Sequence, residues 1–346
     1  SNYSSFFATD LLQLYCTRRA DTQMKGIAIH NIKTQIPVSG KNKKRLLRLL
    51  RNSLKNYQLY MLLLPALVYI IIFHYGAMYG LQIAFKDYFV TKGIAGSPWV
   101  GFIHFRRFFK STQFLVVIKN TVFLSLYGLL VGFPIPILLA LSINNVQNKF
   151  FKSLVQTVTY APHFISTVVI VSMMFIFLSP RSGFVNIIRQ SFGGTPVHFI
   201  AKPEWFKSLY VFSDIWQSSG WSAIIYIAAL SNISIELHEA AIIDGANKFQ
   251  RIKYIDIPGI MPTVITLLII NIGNIMSVGF EKTFLMQNSL NIMSSEIIQT
   301  YVYKIGLVSA DFSYSAAIGL FNSAINFFLL LGTNRLSKKL TDISLW

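Results

Sequence analysis

Charge is scarce in this chain. Only 13% of its 346 residues are Asp, Glu, Lys or Arg, about half the share a soluble globular domain carries. Acidic residues are the scarcer kind, 13 against 31 basic ones. There is one cysteine, Cys16, which excludes an internal disulfide framework and a multi-cysteine metal site. No His, Cys or acidic residues recur at metal-ligand spacing. The sequence also lacks a Gly-x4-Gly-Lys-Ser/Thr phosphate loop, so ATP hydrolysis by this chain is not expected. A stand-alone secondary transporter would need coupling acids deep in a membrane, and only Asp214 falls inside an apolar run. A membrane glycosyltransferase would need acidic or metal-binding motifs at a membrane face, and none is present.

Apolar sequence fills the space that charge leaves. Hydrophobic residues make up 53% of the chain, and the mean hydropathy is +0.52. Six runs, 57–83, 116–143, 154–179, 209–230, 257–280 and 313–333, are nearly free of charge. Each exceeds the ~20 residues a helix needs to cross ~30 Å of hydrocarbon, and each is far too long for a barrel strand. The composition predicts an all-α membrane protein with six transmembrane helices spread over 57–336.

The segment 41–56, KNKKRLLRLLRNSLKN, carries seven basic residues and no acidic one just before the first run. If it is cytoplasmic, the segments on its side are about twice as dense in Lys and Arg as the loops opposite. Six crossings then return the C-terminal tail, 337–346, to the same side, so both termini are expected in the cytoplasm. The net charge of +18 is spread over loops and span flanks. Anionic lipid headgroups account for it better than nucleic acid does. Residues 1–40 read as a flexible tail with Met24 as a candidate start, and 6–16 is too short to span.

Polar features interrupt the runs. The second contains Pro134 and Pro136, each lacking an N–H donor, which predicts a kink. The third contains Pro162 and His163. The fourth contains WQSSGW at 216–221, and the fifth holds Asn271 and Asn274 near its middle. Aromatic faces and amides suit a saccharide path, which makes Trp216, Gln217, Trp221, Asn271 and Asn274 candidates for a translocation lining. Interhelical packing explains each of them equally well. Asp214 is open to a cavity role or a structural pairing, and His74 and His163 fit plain helix packing. The outer loops run to about 30 residues each. The third contains 294–307, which predicts a short external helix with a Ser cap and Gly306 as its stop.

Residues 236–258, ELHEAAIIDGANKFQRIKYIDIP, are of another character. Glu236 and Glu239 come early in a helix-forming run, where the helix dipole favours negative charge. Ala240 and Ala241 permit close approach of another surface, and the run breaks at Asp244-Gly245. In a second run, Ala246, Phe249 and Ile252 share a face, and Pro258 opens the next span. The pattern is helix, glycine hinge, amphipathic helix, membrane: a rigid joint that asks for a cleft in a partner.

The stretch resembles the EAA signature of permease subunits in binding-protein-dependent ABC importers. Glu239, Ala240, Ala241, Gly245, Ile255 and Pro258 match it in identity and spacing, with Ile257 where the signature has Leu. HYGAMYGLQIAFKDY (74–88), SPWVGFIHFRRFF (97–109), KNT (119–121), GWSAIIYIAALSNI (220–233), IIQTYVYKIGL (297–307) and SYSAAIGLFNSAIN (313–326) are similar to permeases of complex-sugar and polysaccharide-fragment importers. The resemblance covers about 57–340. His74 and Gly76 depart from that group, which more often has Lys or Arg and then Pro. It implies the type I importer fold, with a coupling loop at 234–258. It also implies a second EAA-containing permease, two ATP-binding subunits that hold ATP and Mg, and an external solute-binding protein. Glu239, Ala240, Ala241, Asp244, Gly245, Ala246, Phe249, Ile255 and Pro258 would dock in the ATP-binding subunits. The implied site is the bacterial cytoplasmic membrane and the implied cargo an oligosaccharide. Peptide, polyamine, sugar phosphate or uronate cargo remains the alternative.

Overall fold

The computed structural model describes residues 57–341 and 344–345; the 1–40 tail and the 41–56 basic segment lie outside the described residues. The chain divides into two compact units, one ending at Gly76 and one beginning at Ala77. In the first, α1 (Tyr57–Tyr69) contains Pro65 and passes into a π-turn, Ile70–Tyr75. Its large apolar side chains, Leu62 and Phe73 among them, are exposed, as suits a helix whose solvent is hydrocarbon.

The second unit is helical wherever it is regular. In chain order it holds α2 (Ile103–Lys110), α3 (Thr112–Tyr127), α4 (Pro134–Asn144), α5 (Lys149–Tyr160), α6 (Thr167–Phe177) and α7 (Phe184–Ser191). Then come α8 (Pro203–Leu230), α9 (Ile235–Ile243), α10 (Lys248–Arg251), α11 (Ile257–Gly273), α12 (Phe280–Met286), α13 (Ile298–Tyr303) and α14 (Phe312–Thr341). Among the described residues the β pairing amounts to one bridge, Lys86 to Trp99.

Among the described residues four helical stretches are long and apolar enough to cross a membrane: Gln58–Phe85, Thr112–Asn144, Lys248–Gly273 and Phe312–Lys339. Two bent pairs bring the number to as many as six, α5 with α6 at 98° and α8 with α9 at 75°. The 28 residues of α8 already span ~42 Å at 1.5 Å per residue, so α9 is not needed to complete that crossing. The third run differs from the single straight helix that its composition predicts. Pro162 cannot donate to the helix ladder, and a 3-10 turn, Ala161–Phe164, replaces it. A new helix starts at Thr167, where the Ser166 hydroxyl accepts the Val169 N–H at 3.4 Å.

Around Pro134 and Pro136 the helix departs from α geometry within one continuous stretch, Thr112–Asn144. The backbone widens into a π-turn at Gly128–Gly132, and Pro134 then opens α4, where its missing N–H has no helical partner to lose. Three apolar clusters hold the unit together. One joins Ala140 and Leu141 to Ala223, Tyr226 and Leu230 of α8 and to Ile260 of α11. A second joins Leu124 of α3 to Phe206, Tyr210, Met286 and Ile297. The third packs Phe108 and Val117 against Ile298, Tyr314 and Ile318. Together they seat α3, α4, α8 and α11 around common space.

The segment 294–307 contains the expected helix but not the expected cap. α13 begins at Ile298; the Thr300 hydroxyl accepts the Ile297 N–H at 3.1 Å. Ser295 belongs to a preceding helical turn, where its hydroxyl donates to Asn291 Oδ1 at 2.9 Å. This segment is pinned to α3 by Asn120, which is buried and donates to the carbonyls of Met293 (2.9 Å) and Glu296 (3.1 Å). Asn120→Leu leaves both carbonyls without that donor. The expected cost is ~1–3 kcal/mol, read as a lower midpoint of thermal unfolding in detergent; an unchanged midpoint would deny Asn120 this role.

Candidate functional site

A cavity of about 400 Å³ opens between α3, the π-turn, α4, α8, α11 and the segment leading to α12. Its wall is mixed. Leu129, Phe133, Ile215 and Val278 supply apolar surface, while Ser218, Ser219, Ser222 and Ser277 supply hydroxyls. Asn271 and Asn274 are both on the wall. Each amide donates to the carbonyl four residues back, Asn271 to Leu267 at 2.8 Å and Asn274 to Ile270 at 3.1 Å. Their amide oxygens are left as acceptors, the groups that sugar hydroxyls seek.

Asp214 is the one charged residue on this wall, with its side chain 54% exposed. Behind it lies Lys282 at the start of α12, only 5% exposed, its ammonium 3.4 Å from Asp214 Oδ1. The same ammonium lies over the Tyr210 ring, 5.2 Å from the centroid. Burial pushes the Lys282 pKa down, and the adjacent Asp214 carboxylate pulls it back up. Asp214 therefore both faces the cavity and compensates a buried cation.

Trp216, Gln217 and Trp221 have other positions. The Trp221 ring stacks on His163 with centroids 4.6 Å apart and planes 5° from parallel. Gln217 Nε2 donates to the Ile165 carbonyl at 3.0 Å. Both contacts fasten α8 to the break between α5 and α6, and Trp216 is exposed. None of the three lines the cavity.

The second feature is the arm formed by α9 and α10. The Ser234 hydroxyl caps α9 by accepting the Glu236 N–H at 3.2 Å. The helix ends in a Schellman closure: the Ala246 N–H reaches the Ala241 carbonyl (2.8 Å) and the Gly245 N–H reaches Ile242 (3.0 Å). Gly245 takes φ +82°, the left-handed region. Asn247 and Gln250 then form a reciprocal capping box at 2.8 and 2.9 Å. Ala246 is consequently outside the second helix, which the sequence pattern extends over it. Glu239, Ala240, Asp244, Phe249 and Pro258 are exposed, and Ala241 and Ile255 half-buried. Leu237, Ile242, Ile243 and Phe249 expose apolar surface along the arm. A π-turn, Ile252–Asp256, joins α10 to α11 with Pro258 in its first turn.

Residues 132–342 match the family of binding-protein-dependent transport system inner membrane components. The chain belongs to that family. This permease is 42% identical over 297 residues to the polygalacturonan/rhamnogalacturonan transport system permease protein YteP of Bacillus subtilis (strain 168), covering 86% of this chain and 92% of that one. It is 42% identical over 281 residues to protein LplB of the same organism, covering 81% and 88%. Among solved structures it resembles a chain of a bacterial ABC transporter involved in the import of the acidic polysaccharide alginate. That match has a TM-score of 0.79, 41% identity and coverage of 85% of this chain and 99% of that one. A second match is to the bacterial alginate ABC transporter in complex with an alginate pentasaccharide-bound periplasmic protein, with TM-score 0.80, 40% identity and coverage of 86% and 100%. The permease is a multi-pass membrane protein and a transport component, with the importer fold that the sequence resemblance implies.

Lys282, Ser222, His238 and Asp256 are absent from the sequence-derived candidates, whereas Ser218 and Ser219 belong to the WQSSGW stretch that supplies them. Lys282 and Asp214 are separated by 68 residues, so no local pattern joins them. Ser222 had a signal: Ser218 and Ser222 are four apart, on one helix face.

Proposed function

We propose that this permease forms one half of the membrane pathway of an importer for polysaccharide fragments that carry uronic acids. It sits in the bacterial cytoplasmic membrane with both termini on the cytoplasmic side. The observation that carries the reading is the arm: an exposed helix set 75° from its span, capped at both ends and apolar on its free surface. A helix of this kind is made to be gripped. One of two ATP-binding subunits, which hold ATP and Mg, takes α9 in its cleft, with Glu239 against a basic group there. A second EAA-containing permease completes the pathway, an extracytoplasmic solute-binding protein delivers cargo, and lipid surrounds the spans. ATP is hydrolysed by the partners, and this chain binds no cofactor or nucleic acid.

The cavity is the proposed stretch of pathway within this subunit. The names of the polygalacturonan and alginate relatives support acidic cargo. A second reading, neutral oligosaccharides, is favoured by the wall itself, whose one charged residue is a carboxylate among hydroxyls and amides. Uptake into proteoliposomes holding the whole complex and internal ATP separates the two. Oligogalacturonate and oligomannuronate are offered beside neutral arabino- and malto-oligosaccharides, each with binding protein outside. ATP-dependent uptake of a uronate series alone supports the proposal, uptake of a neutral series alone supports the second reading, and no ATP-dependent uptake of any glycan contradicts both.

A further inference from the structure

The arm touches the rest of the subunit through very little. Of the nine residues of α9, only His238 and Ala241 are half-buried, one turn apart on a single face; the other seven are exposed. His238 reaches across to Asp256, with Nε2 3.3 Å from Oδ1. Asp256 ends the π-turn below α11, and its side chain is 2% exposed. Among the described residues the polar side chain that meets this carboxylate is the His238 imidazole, and the Nε2–Oδ1 line is off the angle of a hydrogen bond. Nearby in sequence, Arg251 Nε is also buried without a hydrogen-bond partner.

A carboxylate withdrawn from water costs several kcal/mol unless a cation or donors compensate it. A stable, purely structural base for α11 would be apolar here. The buried acid instead has a partner on the one element expected to move, and α11 carries Asn271 to the cavity wall, with Asn274 as its C-cap.

We propose that His238 and Asp256 form a latch that fixes the coupling helix α9 to the base of α11, so that displacement of the arm is transmitted to the cavity wall. The inference rests on the docking of α9 in the ATP-binding subunits. His238 acts through Asp256 and is a positioning residue; it has no part in gripping the partner. When the partner subunits move α9, the imidazole carries Asp256 with it, and the rigid helix above follows. Without the contact α9 can slide past α11 while remaining docked.

The test compares His238→Met, which keeps the bulk and removes the polar group, with His238→Lys, which keeps a polar N–H donor beside Asp256. Each is made alone and with Asp256→Asn, in the complete complex. Two quantities are read: co-purification of the ATP-binding subunits, and ATP hydrolysis with cargo-loaded binding protein relative to hydrolysis without it. The stimulation ratio in His238→Met is expected to fall about tenfold, within the usual span of a coupling free energy, while the ATP-binding subunits still co-purify. His238→Lys should retain at least about half of the stimulation, and Asp256→Asn should make His238→Met no worse. A purely steric role would affect Lys and Met alike. Unchanged stimulation in His238→Met, equal losses in Met and Lys, or losses that multiply in the double variant each overturn the latch. Glu239→Lys is run beside them. If it leaves co-purification and transport intact, the docking reading fails; a normal His238→Met with a defective Glu239→Lys rejects the latch alone. His238 is a quarter exposed on an exposed helix, so its substitutions do not threaten the fold. If Asp256→Asn prevents assembly, the contrast between Lys and Met at 238 still decides.

Discussion

Gly220→Val is expected to leave no assembled permease. At Gly220 α8 crosses the end of α5 so closely that a Cβ would fall on the carbonyl group of Thr159. Overpacking a core typically costs ~1–3 kcal/mol when side chains can shift aside. Here the obstacle is backbone, and Thr159 is further tied by its hydroxyl, which donates to the Val155 carbonyl at 2.7 Å. Relief requires the two helices to part. That would also separate Trp221 from His163 and Gln217 from Ile165, the contacts that shape the break in the third crossing. Size-exclusion chromatography of the detergent-solubilised protein should show aggregate in place of the wild-type peak. Gly220→Ala already carries the clashing Cβ and should show a reduced wild-type peak with a lowered thermal midpoint, a milder form of the same defect. A monodisperse Gly220→Val with the wild-type midpoint would mean that α5 and α8 do not approach in this way.

Gly245→Val should assemble and fail in transport. The position has no neighbouring atom that a Cβ would strike, so the difficulty is conformational. The left-handed backbone at φ +82° costs a β-branched residue ~1–3 kcal/mol. The chain escapes that cost by opening the Schellman closure, and α9 then loses its fixed angle to α10. A docking element that must be reordered on each encounter weakens by the same free energy, about five- to 150-fold in uptake rate. Gly245→Asn tests the cause, because Asn tolerates this conformation; it should keep most of the activity. Equal damage by Val and Asn would shift the explanation from backbone conformation to side-chain bulk against the partner.

Much of this architecture is legible before any coordinates. The six runs follow from the shortage of charge, because a bilayer tolerates few charges over a span. The arm is legible because its devices are local. Asp244-Gly245 marks the helix end, and Pro258 marks a fresh start. Asn271 and Asn274 stand out as amides in the middle of an apolar run, and both are on the cavity wall. Trp216, Gln217 and Trp221 stand out for the same kind of reason, yet they point away from the cavity. They occupy more than one turn of α8, and sequence alone cannot say which face of a buried helix meets which neighbour. The 98° bend between α5 and α6 had a marker in Pro162, but its size has no local marker. Lys282 with Asp214 and His238 with Asp256 join residues from different elements, and only folding makes them pairs.

Central to the proposed function is that the arm turns events at the ATP-binding subunits into changes in the membrane pathway. Its most direct test is ATP hydrolysis by the complete importer in lipid nanodiscs, with and without cargo-loaded binding protein, for the wild type and for Glu239→Lys. The wild type should hydrolyse ATP faster when the loaded binding protein is present, and Glu239→Lys should lose that stimulation together with co-purification of the ATP-binding subunits. Full stimulation and intact co-purification in Glu239→Lys would contradict the claim.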